Sequence, residues 1–196
     1  MKRPGTFNLW ERFIKGDNDA LSDLFQFYVH DLYSYGIKIH ADAPLVKDCI
    51  QEIFINLIDK RKTLTPNDFT HLYLFKSLRN KLMEELKSKN RRIDLLKSIS
   101  LDIPKYDISI EQSKVISEER ELRNIILAKA LSKLSDYQVE ALHLKYSQGF
   151  EYDKIAEILQ IDIASARTLI YRSLKKVKEA IFVNAEILFL FFRSKH

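Results

Sequence analysis

Residues 134–178 read LSDYQVEALHLKYSQGFEYDKIAEILQIDIASARTLIYRSLKKVK, and they divide into three short helices. Ser135-Asp136-Tyr137-Gln138 has the S-x-x-Q form of a capping box, with Val139, Leu142 and Tyr146 following at the spacing of one apolar helical face. Gly149 stops that helix. Tyr152, Ile155, Ala156 and Leu159 stand at i, i+3, i+4 and i+7, which predicts an amphipathic second helix of about two turns. After the turn at Gln160-Ile161, the Asp162 carboxylate is placed to accept from the free N–H groups of a third helix. Ala166, Leu169, Ile170, Leu174 and Val177 form the expected buried stripe of that helix. Its opposite face carries Ser165, Arg167, Thr168, Tyr171, Arg172, Lys175 and Lys176, with no acid between Asp162 and Glu179. A helix that is merely solvated mixes both signs of charge. A short helix, a tight turn and a second helix with a hydroxyl, aromatic and cationic face are what a helix-turn-helix needs to enter a major groove. The competing reading is a helical hairpin with an ordinary solvated face.

The 196 residues are enough for one large domain or two small ones, each with its own core, and two is the reading adopted. Four Gly and four Pro, with 46% hydrophobic and 30% charged residues, describe a folded, largely helical chain. The expected class is all-α: a four-helix N-terminal domain and a helix-turn-helix C-terminal domain joined by a linker. The net charge of +5 suits a polyanionic partner, and its distribution is more telling. Between Lys76 and Lys97 eight basic residues face three acids, an excess equal to that of the whole chain.

Several classes of function lose ground on composition. Cys49 is the only cysteine, so no internal disulfide and no cysteine-based zinc cluster can form, and a reducing cytoplasm is expected. His30, His40, His71, His143 and His196 form no close pair at metal-ligand spacing, and there is no glycine-rich phosphate loop. The expectation is a protein that is not an enzyme, with no metal and no cofactor. Met1 to Trp10 lacks an apolar core of signal-peptide length, so no export is expected. The apolar run Ala180 to Phe192 is broken by Asn184 and Glu186 and falls short of the ~20 residues of a spanning helix.

Upstream, the spacing predicts a helix over Phe7 to Lys15 with Phe7, Trp10, Phe13 and Ile14 on one side. Gly16-Asp17-Asn18-Asp19 ends it and caps a second, whose stripe is Ala20, Leu21, Leu24, Phe25, Tyr28, Leu32 and Tyr35. A third, Leu45 to about Arg61, turns Val46, Ile50, Ile53, Phe54 and Leu57 inward and Asp48, Gln51, Glu52 and Asn56 outward. After the polar loop Lys62 to Thr70, a fourth helix from about His71 to Asn90 buries Leu72, Leu74, Phe75, Leu78 and Leu82. Its basic excess lies toward the C-terminal end, where cations complement the helix dipole. Ile93 to Gln112, with Pro104, is the only long break in helical pattern and reads as an interdomain linker. Helicity resumes before Glu118, with Leu122, Ile125, Ile126, Ala130, Leu131 and Leu134 inward.

The two halves together resemble the extracytoplasmic-function sigma factors of bacterial RNA polymerase, within the sigma-70 family. In the first half the resemblance rests on Gly16-Asp17 before Ala20-Leu21, on the run from Asp48 to Leu57, and on Tyr73-Leu74-Phe75 followed by Arg79-Asn80. In the second it rests on Leu134-Ser135, on Tyr146 to Phe150, on Tyr152 to Leu159, and on Arg172 to Lys176. It implies a detachable specificity subunit, divided into a region 2-like domain at 1–92, a linker at 93–112, a region 4-like domain at 113–179 and a hydrophobic tail at 180–196.

The resemblance also implies roles for named residues. Asp48, Gln51, Glu52 and Asn56 would dock on the clamp of core RNA polymerase, with a second contact to its flap. Asn80, Lys81, Lys87, Lys89, Arg91 and Arg92 would help open the minus-ten element of promoter DNA. A flipped base costs a few kcal/mol of stacking and pairing, so a polar pocket and cations for the exposed strand are required. Ser165, Arg167, Thr168, Tyr171, Arg172, Lys175 and Lys176 would lie in the major groove of the minus-thirty-five element, Arg167 on bases and Arg172, Lys175 and Lys176 on backbone. An anti-sigma factor is the implied regulatory partner. Three positions depart from the family pattern: Gln160 where Gly is frequent, Glu151 where Ser or Thr caps the second helix, and Leu169 where Arg is frequent. For the tail, packing on its own domain and shielding of the binding surfaces are equal readings. A stand-alone DNA-binding regulator and a helical adaptor for proteins are the competing functions.

Overall fold

The computed structural model describes residues 6–64, 70–96 and 118–193, with side chains over 7–64, 71–88 and 125–182. The described residues form helices and no strands, in two compact units, Met1–Asp107 and Ile108–His196.

The first unit holds α1 (Thr6–Ile14), α2 (Asn18–Ile39), α3 (Ala43–Lys60) and α4 (Thr70–Leu96), with a 3₁₀ turn at Arg61–Thr63. Gly16, at φ 106°, reverses the chain after α1. Asp17 then caps α2, its Oδ1 accepting from the N–H groups of Asp19 at 2.9 Å and Ala20 at 3.2 Å. Arg12 Nε donates to the other carboxylate oxygen at 2.8 Å, so the same residue ties both helices to the turn. Asp42 caps α3 through the Leu45 N–H at 3.2 Å, with Pro44 in the first turn, where its missing N–H costs nothing.

α2 packs on α1, α3 and α4, and α3 on α4. The expected inward residues of α3 and α4 are all buried, as are Ala20, Leu24, Tyr28, Leu32 and Tyr35 of α2. Tyr35 and Phe75 meet at 5.0 Å between ring centroids, and Phe25 meets Phe54 edge-on at 5.0 Å. Each large side chain buried in this way contributes about 1.5–3 kcal/mol. Phe7 departs from expectation and is exposed, because the first turn of a nine-residue helix has little to pack on; Trp10, on Phe13 and Tyr73, makes the contact instead. α4 runs on to Leu96, so Ile93 to Leu96, read as the start of the linker, are helical. The rest of that linker reading, and Thr65 to Phe69 of the polar loop, lie outside the described residues.

The second unit holds α5 (Glu118–Leu131), α6 (Asp136–Leu142), α7 (Tyr152–Leu159) and α8 (Ile163–Arg193), with α5, α6 and α7 all packed on α8. The capping box forms in both directions: Ser135 Oγ accepts the Gln138 N–H at 3.3 Å and Gln138 Oε1 accepts the Ser135 N–H at 3.2 Å. α6 then widens into a π turn, His143–Ser147, closed by the Gln148 N–H on the His143 carbonyl at 3.1 Å. One extra residue in a turn rotates everything after it by about 100°. His143 and Leu144 are therefore buried, while Tyr146, expected on the apolar face, is 60% exposed. Gly149, at φ 72°, ends this segment as expected.

Two further expectations are corrected. Among the described side chains of α8 the buried ones are Ala166, Ile170 and Ser173, and Leu174 points outward. The Ser173 hydroxyl donates to the Leu169 carbonyl at 2.7 Å, which removes the cost of burying it, and a small residue there lets neighbouring helices approach. Ile125 of α5 is exposed, with Ala130 the buried anchor of that helix. Residues 180–193, in the segment read as a hydrophobic tail, continue α8, which is 31 residues long.

At Gly36 α2 lies close against α3: a Cβ there would lie 2.5 Å from Val46 Cγ1. Valine in a helix has one strongly preferred χ1 and cannot turn aside. Gly36→Ala therefore lowers stability by about 1–3 kcal/mol in urea unfolding, and adding Val46→Ala restores part of the loss. A stable Gly36→Ala variant would show that the two helices separate freely.

Candidate nucleic-acid interface

The turn between α7 and α8 sets the site. Gln160 is the only described non-glycine residue at positive φ, at 58° with ψ 46°, and its N–H reaches the Ala156 carbonyl. The Ile161 N–H also donates to that carbonyl, at 3.0 Å, so the left-handed residue closes α7 where the family pattern has glycine. Asp162 then opens α8: its Oδ1 accepts the Ser165 N–H at 2.8 Å and its Oδ2 accepts the Ser165 hydroxyl at 2.5 Å. The Ser165 hydroxyl holds the Asp162 carboxyl below its ordinary range, with the Ser165 N–H the next contribution.

All seven residues expected on the outer face of α8 are exposed: Ser165, Arg167, Thr168, Tyr171, Arg172, Lys175 and Lys176. Within unit 2 they are not equally available. The Ser165 proton is committed to Asp162. Lys176 Nζ donates to Gln138 Oε1 at 3.3 Å, tying α8 to the capping box of α6, and Lys175 Nζ lies 3.9 Å from Glu179. Thr168 and Arg172 line an open depression of about 470 Å³, with Tyr137 and Gln138 of α6 on its far side. The Arg167 guanidinium sits 5.6 Å from the ring centroid of Tyr152. Tyr152, Tyr137 and Gln138 join this surface although pattern reading placed Tyr152 on a core stripe and the other two in a cap. Only the wrap of α6 and α7 around α8 brings them together.

In the first unit, Asp48, Gln51, Glu52 and Asn56 are all exposed on α3. Ile55 and Ile58 are also exposed, and at 100° per residue they fall among those polar groups on one face. That apolar component was missed, although both positions lie off the buried i, i+3, i+4 stripe and could have been found there. Lys81, expected beside DNA, forms an ion pair with Glu52, expected on the docking face. The Glu52 hydrogen bond holds the Lys81 ammonium above its ordinary range. Asn80 and Lys87 are exposed on α4, whereas the side chains of Lys89, Arg91 and Arg92 lie outside the described residues.

The geometry of the second unit defines a helix-turn-helix with a cationic second helix. Residues 125–177 match the family model described as sigma-70, region 4. The ECF RNA polymerase sigma factor SigM of Bacillus subtilis (strain 168) is 21% identical over 170 residues, covering 81% of this chain and 93% of that protein. Among solved structures, the sigma factor RpoE of Bartonella quintana, co-crystallised with the anti-sigma factor NepR, matches with a TM-score of 0.64 at 20% identity. That match covers 83% of this chain and 96% of RpoE. CnrH, in complex with the cytosolic domain of CnrY, matches with a TM-score of 0.57 at 16% identity over 91% of this chain and 97% of that one. The region 4 match and the similarity over most of the chain together support an extracytoplasmic-function factor of the sigma-70 family. The same matches support the function of an alternative sigma factor, one that directs RNA polymerase to promoters. No helix among the described residues is long and apolar enough to cross a membrane.

The Asp162 cap carries a pH signature. A carboxyl whose folded pKa is depressed adds stability above its unfolded value, and loses that stability as pH falls through the folded one. Ser165→Ala removes the largest cause of the depression, so the Asp162 titration moves up toward 3.8 and acid unfolding of the second unit begins at higher pH. Carboxyl-resolved NMR titration reads both, and an unmoved Asp162 would count against the hydroxyl as the cause.

Proposed function

We propose that the two units divide promoter recognition between them while α3 holds core polymerase. The observation that carries this is the outer face of α8: seven exposed hydroxyl, aromatic and cationic residues with no acid between Asp162 and Glu179, presented by a helix-turn-helix. On this reading Arg167 contacts a base of the minus-thirty-five element, Arg172, Lys175 and Lys176 contact phosphates, and Ser165, Thr168 and Tyr171 add short polar contacts. Asn80, Lys81, Lys87, Lys89, Arg91 and Arg92 handle the minus-ten element. Asp48, Gln51, Glu52 and Asn56, with Ile55 and Ile58, dock on the polymerase clamp; the second unit meets the flap. A mixed polar and apolar face suits a reversible protein contact better than a charged one would. The Glu52–Lys81 ion pair ties α3 to α4 in the free chain.

The domains divide at 1–92, 93–112 and 113–179, followed by the hydrophobic tail at 180–196, whose residues as far as Arg193 extend α8. The protein works in the cytoplasm by binding, without a catalytic step of its own. An anti-sigma factor is the fitting regulator, since RpoE, of similar fold, was crystallised with the anti-sigma factor NepR, and CnrH with the cytosolic domain of CnrY.

Mixing the purified chain with sigma-free core polymerase tests this directly, by transcription from a library of randomised upstream elements. Specific start sites are expected; a chain that neither joins the polymerase nor selects starts would refute the reading. On a promoter chosen in this way, Arg167→Ala lowers discrimination at one upstream base pair by about 1–3 kcal/mol. Replacing Lys87, Lys89, Arg91 and Arg92 together weakens binding on all sequences and reduces the slope of log affinity against log salt by up to about four. An unchanged slope would remove these four from the DNA.

A further inference from the structure

We infer that Tyr152 is a positioning residue for Arg167: its ring, presented from the first turn of α7, aims the guanidinium of the recognition helix. The inference rests on Arg167 as the base-reading residue. Two cations share the Tyr152 ring, Lys145 Nζ at 4.6 Å and Arg167 Cζ at 5.6 Å from its centroid, both within the ~6 Å over which the negative face of an aromatic ring attracts a cation. A ring holds a guanidinium without using up its N–H donors, as a carboxylate partner would. The edge that donates to a guanine therefore stays free while the arginine loses its rotamer freedom before DNA arrives.

Two unusual features of the sequence serve the same arrangement. Glu151 occupies the cap of α7 yet makes no capping hydrogen bond; its Oε2 lies 3.0 Å from Lys145 Nζ. That contact offsets the Lys145 charge beside the ring, which lowers the repulsion Arg167 would otherwise meet there. Lys145 itself stands in the π turn His143–Ser147, whose extra residue sets the direction of its side chain. The non-standard cap and the wide turn are thus both parts of one device that ends at Arg167.

Holoenzyme reconstituted from core polymerase and the full chain tests this on a promoter it selects, with single base-pair changes across the upstream element. Arg167→Ala first locates the base pair it reads; if that variant loses equally on every template, the base-reading assignment fails on its own and takes this inference with it. Where a position is found, Tyr152→Leu loses about two- to five-fold of the discrimination at that same base pair, Tyr152→Phe keeps it, and Tyr152→Leu adds nothing in the Arg167→Ala background. Full discrimination in Tyr152→Leu, an equal loss on all templates, or a further loss without Arg167 would each overturn the assignment. Should the leucine variant fail to fold, Glu151→Gln decides. Discrimination at the same base pair falls and is restored by adding Lys145→Gln; no change would overturn the inference.

Discussion

One left-handed residue followed by one carboxylate carries the second unit. Gln160 turns the chain at φ 58°, and Asp162 gathers the Ser165 N–H and hydroxyl at the next helix start. Together they set the angle at which α8 leaves α7, and every outward residue of α8 inherits its direction from that angle. The left-handed conformation costs an L-residue about 1–2 kcal/mol. The closing hydrogen bonds to Ala156 and the burial of Ile155, Ile158, Ala166 and Ile170 offset it.

A comparable constraint acts in the first unit. The helices α2, α3 and α4 close on a core of aromatic and branched side chains, and Gly36 permits the approach of α2 to Val46. With the inner face of α3 filled in this way, its other side keeps Asp48, Gln51, Glu52, Ile55 and Ile58 in water. The Glu52–Lys81 pair crosses from this face to α4, so the groups assigned to protein and to nucleic acid are electrostatically joined.

Legibility followed the range of the interaction responsible. The capping box at Ser135, the Asp17 and Asp162 caps, the stop at Gly149 and the strain at Gln160 are written within four or five residues of chain, and each is found as read. The inward stripes of α3 and α4 are equally local, because long periodic segments average out single exceptions. Tyr146 and Leu174 were misplaced for one reason: a fixed 3.6-residue period cannot anticipate a π turn, or a serine that satisfies its own hydroxyl in the core. Phe7 and Ile125 lie on short or terminal segments, where an apolar residue has few neighbours to bury it.

The sequence by itself determined the helices, the caps that begin and end them, the concentration of cations on α8 and α4, and the resemblance to sigma factors, because all of these depend on residue type and spacing along one strand of chain. Only the tertiary structure decided which of those groups act together. Tyr152 under Arg167, Gln138 on Lys176 and Glu52 on Lys81 are contacts between different helices. The partners stand 15, 38 and 29 residues apart in the chain. No local period links residues so far apart; packing of one helix on another does.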